Sequence, residues 1–255
     1  MISRSFSILG TGNVAWQMAR HLLKSGLAVE QVVSRNSTTG KAFASEMQSQ
    51  WVSLSDFKEA EALLICIPEG IIADVVRTNS FQCTWAAHSS GSLALDALNG
   101  IEKHGVFYPI QTMSKGRLLQ AEKITICIEA NTDELENELV DLAELLHFGH
   151  RKMNSEQRKN AHLAAVMVNN FSNHLWHKAS DFASEHGIDF RLFEPLVRES
   201  FDKFLDLGGF NAQTGPARRK DNITIEEHVE MLNKHSTIQQ LYKVFSQSIK
   251  DEFER

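Results

Sequence analysis

Phe6-Ser7-Ile8-Leu9-Gly10-Thr11-Gly12-Asn13-Val14-Ala15, followed by an apolar-periodic run over residues 16–23, decides how this chain folds. A short apolar strand, a G-x-G-x-x-A turn and an amphipathic helix in immediate succession are what a βαβ unit needs to hold a dinucleotide pyrophosphate. Gly10 allows the tight turn, and Gly12, with Thr11 between them, lets the backbone approach the phosphates without a Cβ in the way. Ala15 is small enough for the helix to lie close on the strand. The free N–H groups around Asn13 and Val14 then face the negative charge at the positive end of the helix dipole. A G-x-G-x-x-A alone also fits an ordinary glycine turn; its flanks favour the nucleotide.

The 255 residues, 42% apolar and 23% charged, can bury a sizeable core in one large or two smaller domains. A net charge of −6 with no basic stripe argues against a nucleic-acid partner. No apolar run approaches the roughly 20 residues of a membrane helix, and no signal-peptide segment opens the chain, so a cytoplasmic protein is expected. Cys66, Cys83 and Cys127 each sit in an apolar, strand-like run and read as reduced, buried thiols. No C-x-x-C or Cys/His cluster suggests a metal.

Gly26 ends the first helix, and Val29 to Val33 reads as a second strand closing on Ser34-Arg35-Asn36-Ser37. The residues at this carboxyl end choose the cofactor, because an acid suits a ribose 2′-OH and Arg with hydroxyls suits a 2′-phosphate. Glu30 has the right sequence distance but starts the strand, so Ser34, Arg35 and Asn36 point to NADP. A helix over 38–47 and a short strand at Trp51-Val52 follow, and Ser55-Asp56 reads as a further helix start. The unalternating run 62–67 fits a strand buried on both faces. There Ile67 and Pro68 either flank the nicotinamide ribose or simply stop the strand before a helix over 71–77.

The strand 84–87 runs into His88-Ser89-Ser90-Gly91-Ser92, a polar rim where substrate would meet cofactor, with Ser92 a natural N-cap for a helix over 93–98. Strands at 106–108, 124–128 and 149–153 and a helix over 132–147 complete an α/β region. Residues 1–153 are thus expected to form a doubly wound Rossmann-type domain and residues 154–255 a smaller all-helical one. The helical half shows 3.6-residue periodicity over 155–187, 191–207 and 224–253. The first of these helices is long, and at about 100° per residue His162, Asn169 and Asn173 fall within about 40° of one another. That stripe either lines a substrate cleft against the first domain or makes buried interhelical hydrogen bonds. The loop Thr214-Gly215-Pro216-Ala217-Arg218-Arg219-Lys220-Asp221 reads equally as a carboxylate-binding or a domain-tying turn. The extent of the apolar helix faces suggests a homodimer.

Ile8 to Ala15, His88-Ser89-Ser90-Gly91, Tyr108-Pro109-Ile110-Gln111-Thr112, His162-Leu163-Ala164-Ala165 with Asn169-Asn170, and the 214–221 loop together carry a likeness. The chain resembles the Rossmann-like NADP oxidoreductases grouped with deazaflavin-dependent NADP reductases and pyrroline-5-carboxylate reductase. Within them it is most similar to a bacterial branch with a C-terminal helical domain of unknown function. The resemblance implies an NADP-binding domain and a helical dimerisation domain that completes the site, and no particular substrate. Related β-hydroxyacid dehydrogenases carry a catalytic Lys four residues before a paired Asn. Here Ala165 and Val166 stand at those positions, and Lys220 replaces the glycine usual after Arg in the last loop.

The expectation is an NADP-dependent oxidoreductase that passes a hydride between NADPH and a small carbonyl or imine in an interdomain cleft. Ser89, Ser90, His162 and Asn169 are the candidates for stabilising the charge that hydride arrival creates. His162 could donate the proton in place of the missing Lys, or be structural. An iminium substrate arrives already protonated, which favours imine reduction. The alternative is a non-catalytic NADP-binding sensor or scaffold.

Overall fold

In the computed structural model, which describes residues 2–57 and 59–254, strands and helices alternate through the first half of the chain. They are β1 (Ser5–Leu9), α1 (Asn13–Lys24), β2 (Ala28–Val33), α2 (Ser37–Glu46), β3 (Gln50–Val52), β4 (Glu59–Ile65), α3 (Ile72–Thr78), β5 (Gln82–His88), β6 (His104–Pro109), β7 (Thr125–Ala130), α4 (Asp133–Leu145) and β8 (Gly149–Lys152). Among the described residues one sheet runs in the order β3-β2-β1-β4-β5-β6-β7-β8. Its pairings are parallel except β6 with β7. The strand order reverses beside β1, whose neighbours are β2 and β4, and the carboxyl ends on either side of such a switch open a crevice for a ligand.

Both faces of this sheet are covered. Phe6, Ile8, Ala62, Leu64 and Trp85 point into one apolar cluster with Trp16, Met18 and Leu22 of α1 and Leu139 and Leu142 of α4. Leu9, Leu63 and Ile65 point the other way, onto Ile72, Val76 and Leu98. A strand buried on two sides needs apolar residues at every position, which is why 62–67 shows no alternation.

The chain divides into two compact units, Met1–Asn170 and Phe171–Arg255. The first includes α5 (Ser155–Ala165), capped at both backbone and side chain by Asn154 and Gln157. Arg158, fully buried, fastens α5 to the sheet unit by an ion pair with Glu129 of β7 and a hydrogen bond to the Leu93 carbonyl. The second unit is helical: α6 (Ser172–Glu185), α7 (Glu194–Ala212, broken at Gly208 with φ 74°), α8 (Asn222–Met231) and α9 (Ser236–Glu252). Among its described residues α7 buries none, and Phe201, Phe204, Leu205 and Phe210 stand half or more exposed.

Four local expectations give way. Ser55 and Asp56 lie in a turn, where Asp56 accepts from the Ser53 hydroxyl at 2.6 Å, and among the described residues no helix lies between β3 and β4. Ser92 caps nothing: the helix over 93–98 is a 3₁₀ turn at Leu95–Leu98, and the hydroxyl accepting from the Ser92 and Leu93 amides is that of Ser90. The run 224–253 is two helices separated at residues 232–235. The run 155–187 is interrupted by a π-helical turn, Val166–Phe171. A π-helical turn holds more residues per turn than an α-helix, so the constant pitch of about 100° per residue on which the His162, Asn169 and Asn173 stripe rests does not hold across it.

Candidate functional site

Gly10 is wedged between strand ends. Its amide donates to the Val33 carbonyl of β2 at 2.9 Å, the Cys66 amide beyond β4 donates back to Leu9 O at 2.7 Å, and its φ of 120° lies where side chains are strained. At Gly12 the reverse holds: a Cβ there would meet nothing within 4 Å. The space in front of the turn is open. Gly12 is also the N-cap of α1 and, lacking a side chain, leaves the first amides of that helix free for a ligand.

A cavity of about 250 Å³ opens here, walled by Gly10, Thr11 and Gly12, by Ser34, Arg35 and Asn36, and by Ile67 and Pro68. Asn13 and Val14 begin α1 just beyond the wall. Thr39, Leu54, Ile71 and Val75 line the cavity too, and nothing in their local sequence marks them. The uncapped α1 terminus and the room in front of Gly12 fit a dinucleotide pyrophosphate.

The three residues after β2 differ in what they have to spare. Ser34, buried, donates its hydroxyl to Asn36 O at 3.0 Å and accepts from the Trp51 indole at 3.1 Å. The Asn36 side chain caps α2 by accepting from the Thr39 amide at 3.0 Å. Arg35 is exposed at the cavity wall. Glu30 is exposed at the irregularity in the β1–β2 register, short of the carboxyl end where the cavity lies.

A second polar group gathers at the ends of β4, β5 and β6. Glu69, which follows Pro68, accepts from the hydroxyls of Ser90 and Ser92, each at 2.7 Å, and these two bonds hold its carboxyl below the usual range. Ser89 donates to Ile65 O at 3.3 Å. Tyr108, at the end of β6, meets Nδ1 of His162 on α5 at 2.9 Å, with the rings edge to face. Both press against Gly91, where a Cβ would lie 2.6 Å from His162 Nδ1 and 2.7 Å from Tyr108 Cζ. Burial pushes the Tyr108 phenol up to about 12 and the Cys66 thiol likewise to about 12. Burial, helped by the Arg158 charge, pulls His88 down to about 4. Asn169 is exposed and donates to the Asn170 side chain at 3.0 Å.

Residues 5–100 match the family described as NADP oxidoreductase, coenzyme F420-dependent, and residues 124–249 match a domain of unknown function, DUF2520. A solved candidate NADP oxidoreductase from Bacteroides fragilis is 30% identical and superposes with a TM-score of 0.91 over 98% of each chain. The chain belongs to the NADP oxidoreductase family. Members of this family bind a nicotinamide dinucleotide, which accounts for the cradle at Gly10 and Gly12. More distant structures share its fold. The 1-pyrroline-5-carboxylate reductase of Streptococcus pyogenes is 12% identical, with a TM-score of 0.61 over 97% of this chain and 98% of that one. A variant imine reductase of Myxococcus stipitatus is 14% identical, with a TM-score of 0.62 over 98% and 95%. No curated protein matches the sequence.

Glu69 and Tyr108 are the polar groups that sequence reasoning on catalysis passes over. An acid placed directly after a strand-ending proline, on the switch-point side of the sheet, is the signal for the first. The second stands at the carboxyl end of a strand in the Tyr108-Pro109-Ile110-Gln111-Thr112 motif. Arg218 has a structural role: it donates to the Phe210 and Gln213 carbonyls and lies over the Phe253 ring, tying α7 to α9 within the second unit. Among the described residues, no helix is long and apolar enough to cross a membrane.

Proposed function

We propose that this oxidoreductase uses NADPH to reduce a small carbonyl or imine, with His162 supplying the proton and Asn169 orienting the substrate. When bound, the reduced nicotinamide supplies the hydride. The observation that carries the reading is the Tyr108–His162 pair, set with Glu69 at the same carboxyl edge of the sheet that forms the dinucleotide cavity. Arg35 is the cation for a 2′-phosphate, because Ser34 and Asn36 have their polar atoms engaged in the turn. Ser89 and Ser90 shape the rim, and the hydroxyl proton of each goes to a protein oxygen. The anionic Glu69 favours a cationic iminium over an anionic keto acid. A second copy of the chain covers the apolar face of α7, making a homodimer.

One observation favours the rival reading of a non-catalytic NADP sensor: the hydroxyl protons of Ser89 and Ser90 are already committed. Turnover decides between them. NADPH oxidation is followed with cyclic imines, keto acids and aldehydes; oxidation with an imine is expected, and none with any class refutes the enzyme.

A further inference from the structure

The Tyr108–His162 contact has a direction, and the direction sets what His162 can do. The Tyr108 hydroxyl has one hydrogen-bond partner among the described residues, Nδ1 of His162 at 2.9 Å, and the side chain is buried at the end of β6. Two arrangements are open to a hydroxyl and an imidazole nitrogen at that distance. If Nδ1 carries the proton, the phenol accepts, and its own proton is left without an acceptor in a desolvated place. If the phenol donates, its proton and the Nδ1 lone pair are both satisfied, and the imidazole proton stands on Nε2. A buried donor left unmet costs about 1–3 kcal/mol, so the second arrangement prevails. Burial also keeps the phenol protonated far above neutrality, so it has that proton to give.

We infer that Tyr108 is a positioning residue that holds neutral His162 in the tautomer protonated at Nε2, so that His162 presents a hydrogen-bond donor to the substrate without having to be charged. Among the described residues Nε2 has no partner, which leaves that donor available. Gly91 is what admits the pair, since any side chain there would displace both rings. The charged and titratable groups around it are Glu69 after β4, His88 at the end of β5, and Arg158 one turn earlier on α5, which is engaged by Glu129. Of these Glu69 is the nearby anion, and a donor on His162 beside it suits a substrate whose nitrogen or oxygen must be both attracted and protonated.

This inference rests on the hydride-transfer reading for its role, but its geometry is tested without turnover. Nitrogen-15 NMR of histidine-labelled protein at pH 8, with the His162 signals assigned by their loss in His162→Gln, reports which nitrogen carries the proton. Nε2–H with a bare, hydrogen-bonded Nδ1 is expected. In Tyr108→Phe the two tautomers should mix, NADPH affinity should stay as in the wild type, and kcat should fall on the order of tenfold or more with KM little changed. A proton on Nδ1 in the wild type overturns the inference, as does a Tyr108→Phe protein with unaltered tautomer and unaltered kcat. The expected tautomer in a protein that oxidises NADPH with no substrate would uphold the positioning and refute the enzyme reading alone.

Discussion

A Cβ built on Gly10 would lie 2.3 Å from the carbonyl oxygen of Cys66, a separation no real side chain tolerates. Two strand ends, β1 and β4, are therefore drawn together over a residue that must be glycine, and the same residue has φ 120°. The clash is with backbone, which cannot step aside. Gly10→Ala should lower the melting temperature markedly, with a loss of roughly 2–4 kcal/mol, and abolish dinucleotide binding. Gly12 separates fold from function: with open space around it and φ −79°, Gly12→Ala should cost at most about 1 kcal/mol of stability while sharply weakening NADPH binding. Thermal unfolding and a fluorescence titration of NADPH check both. Equal losses of stability in the two variants would refute the division of labour.

The residues after β2 give the second prediction. Arg35→Ala should weaken NADPH by about 10- to 100-fold, the worth of a charge-assisted hydrogen bond, and leave NADH nearly unaffected. Ser34→Ala should change the NADPH-to-NADH ratio little, because the Ser34 hydroxyl donates to Asn36 and accepts from Trp51. Paired titrations of the two cofactors measure the ratio, and parallel losses for Arg35→Ala would remove the 2′-phosphate assignment.

Much of this was legible in the residues. The strand, turn and helix around Gly10 and the unalternating run at 62–67 are local patterns with local causes, so they specify the sheet and its switch point. Other features depend on partners distant in sequence. Ser92 has every property of an N-cap, yet its hydroxyl is drawn to Glu69, 23 residues away, and Ser90 takes up the amides instead. The π turn at Val166–Phe171 reflects a change of hydrogen-bond register that no residue type in VMVNNF announces, so a constant helical pitch cannot be carried through it from the residues alone. Tyr108 and His162 are 54 residues apart, and only the pairing of β6 and the docking of α5 bring them together.

That docking hangs on a buried charge. The Arg158 side chain is 1% exposed and its partner Glu129 is 16% exposed. Glu129 also accepts from the amide and hydroxyl of Ser155 at the start of α5. Removing one member of such a pair strands the other in a desolvated place, so Glu129→Gln should cost about 3–5 kcal/mol in chemical denaturation. A loss under about 1 kcal/mol would show the pair to be dispensable.

The face of α7 predicts an oligomer. Phe201 is 57% and Leu205 64% exposed, one turn apart on the same side of the helix. Light scattering after size exclusion should give twice the mass of the 28.7 kDa chain. Phe201→Glu with Leu205→Glu should give the monomer mass, whereas a monomeric wild type would refute the proposed dimer.

Acid should destabilise the protein through His88. Burial, with a smaller contribution from the Arg158 charge, holds this fully buried imidazole at about 4, against an ordinary 6.5. Below pH 6.5 the unfolded chain takes up a proton that the native state refuses. The contribution is thus complete above pH 6.5, declines as pH falls, and is exhausted near pH 4, with a total of at most about 3 kcal/mol. His21, lowered mainly by burial, acts in the same direction. Urea unfolding at pH 7.5, 6, 5 and 4.5 should show stability falling continuously across this window. His88→Gln, which cannot take up the proton in either state, should be less stable at pH 7.5 and show a shallower decline. An unchanged slope in that variant would assign the acid sensitivity to other groups.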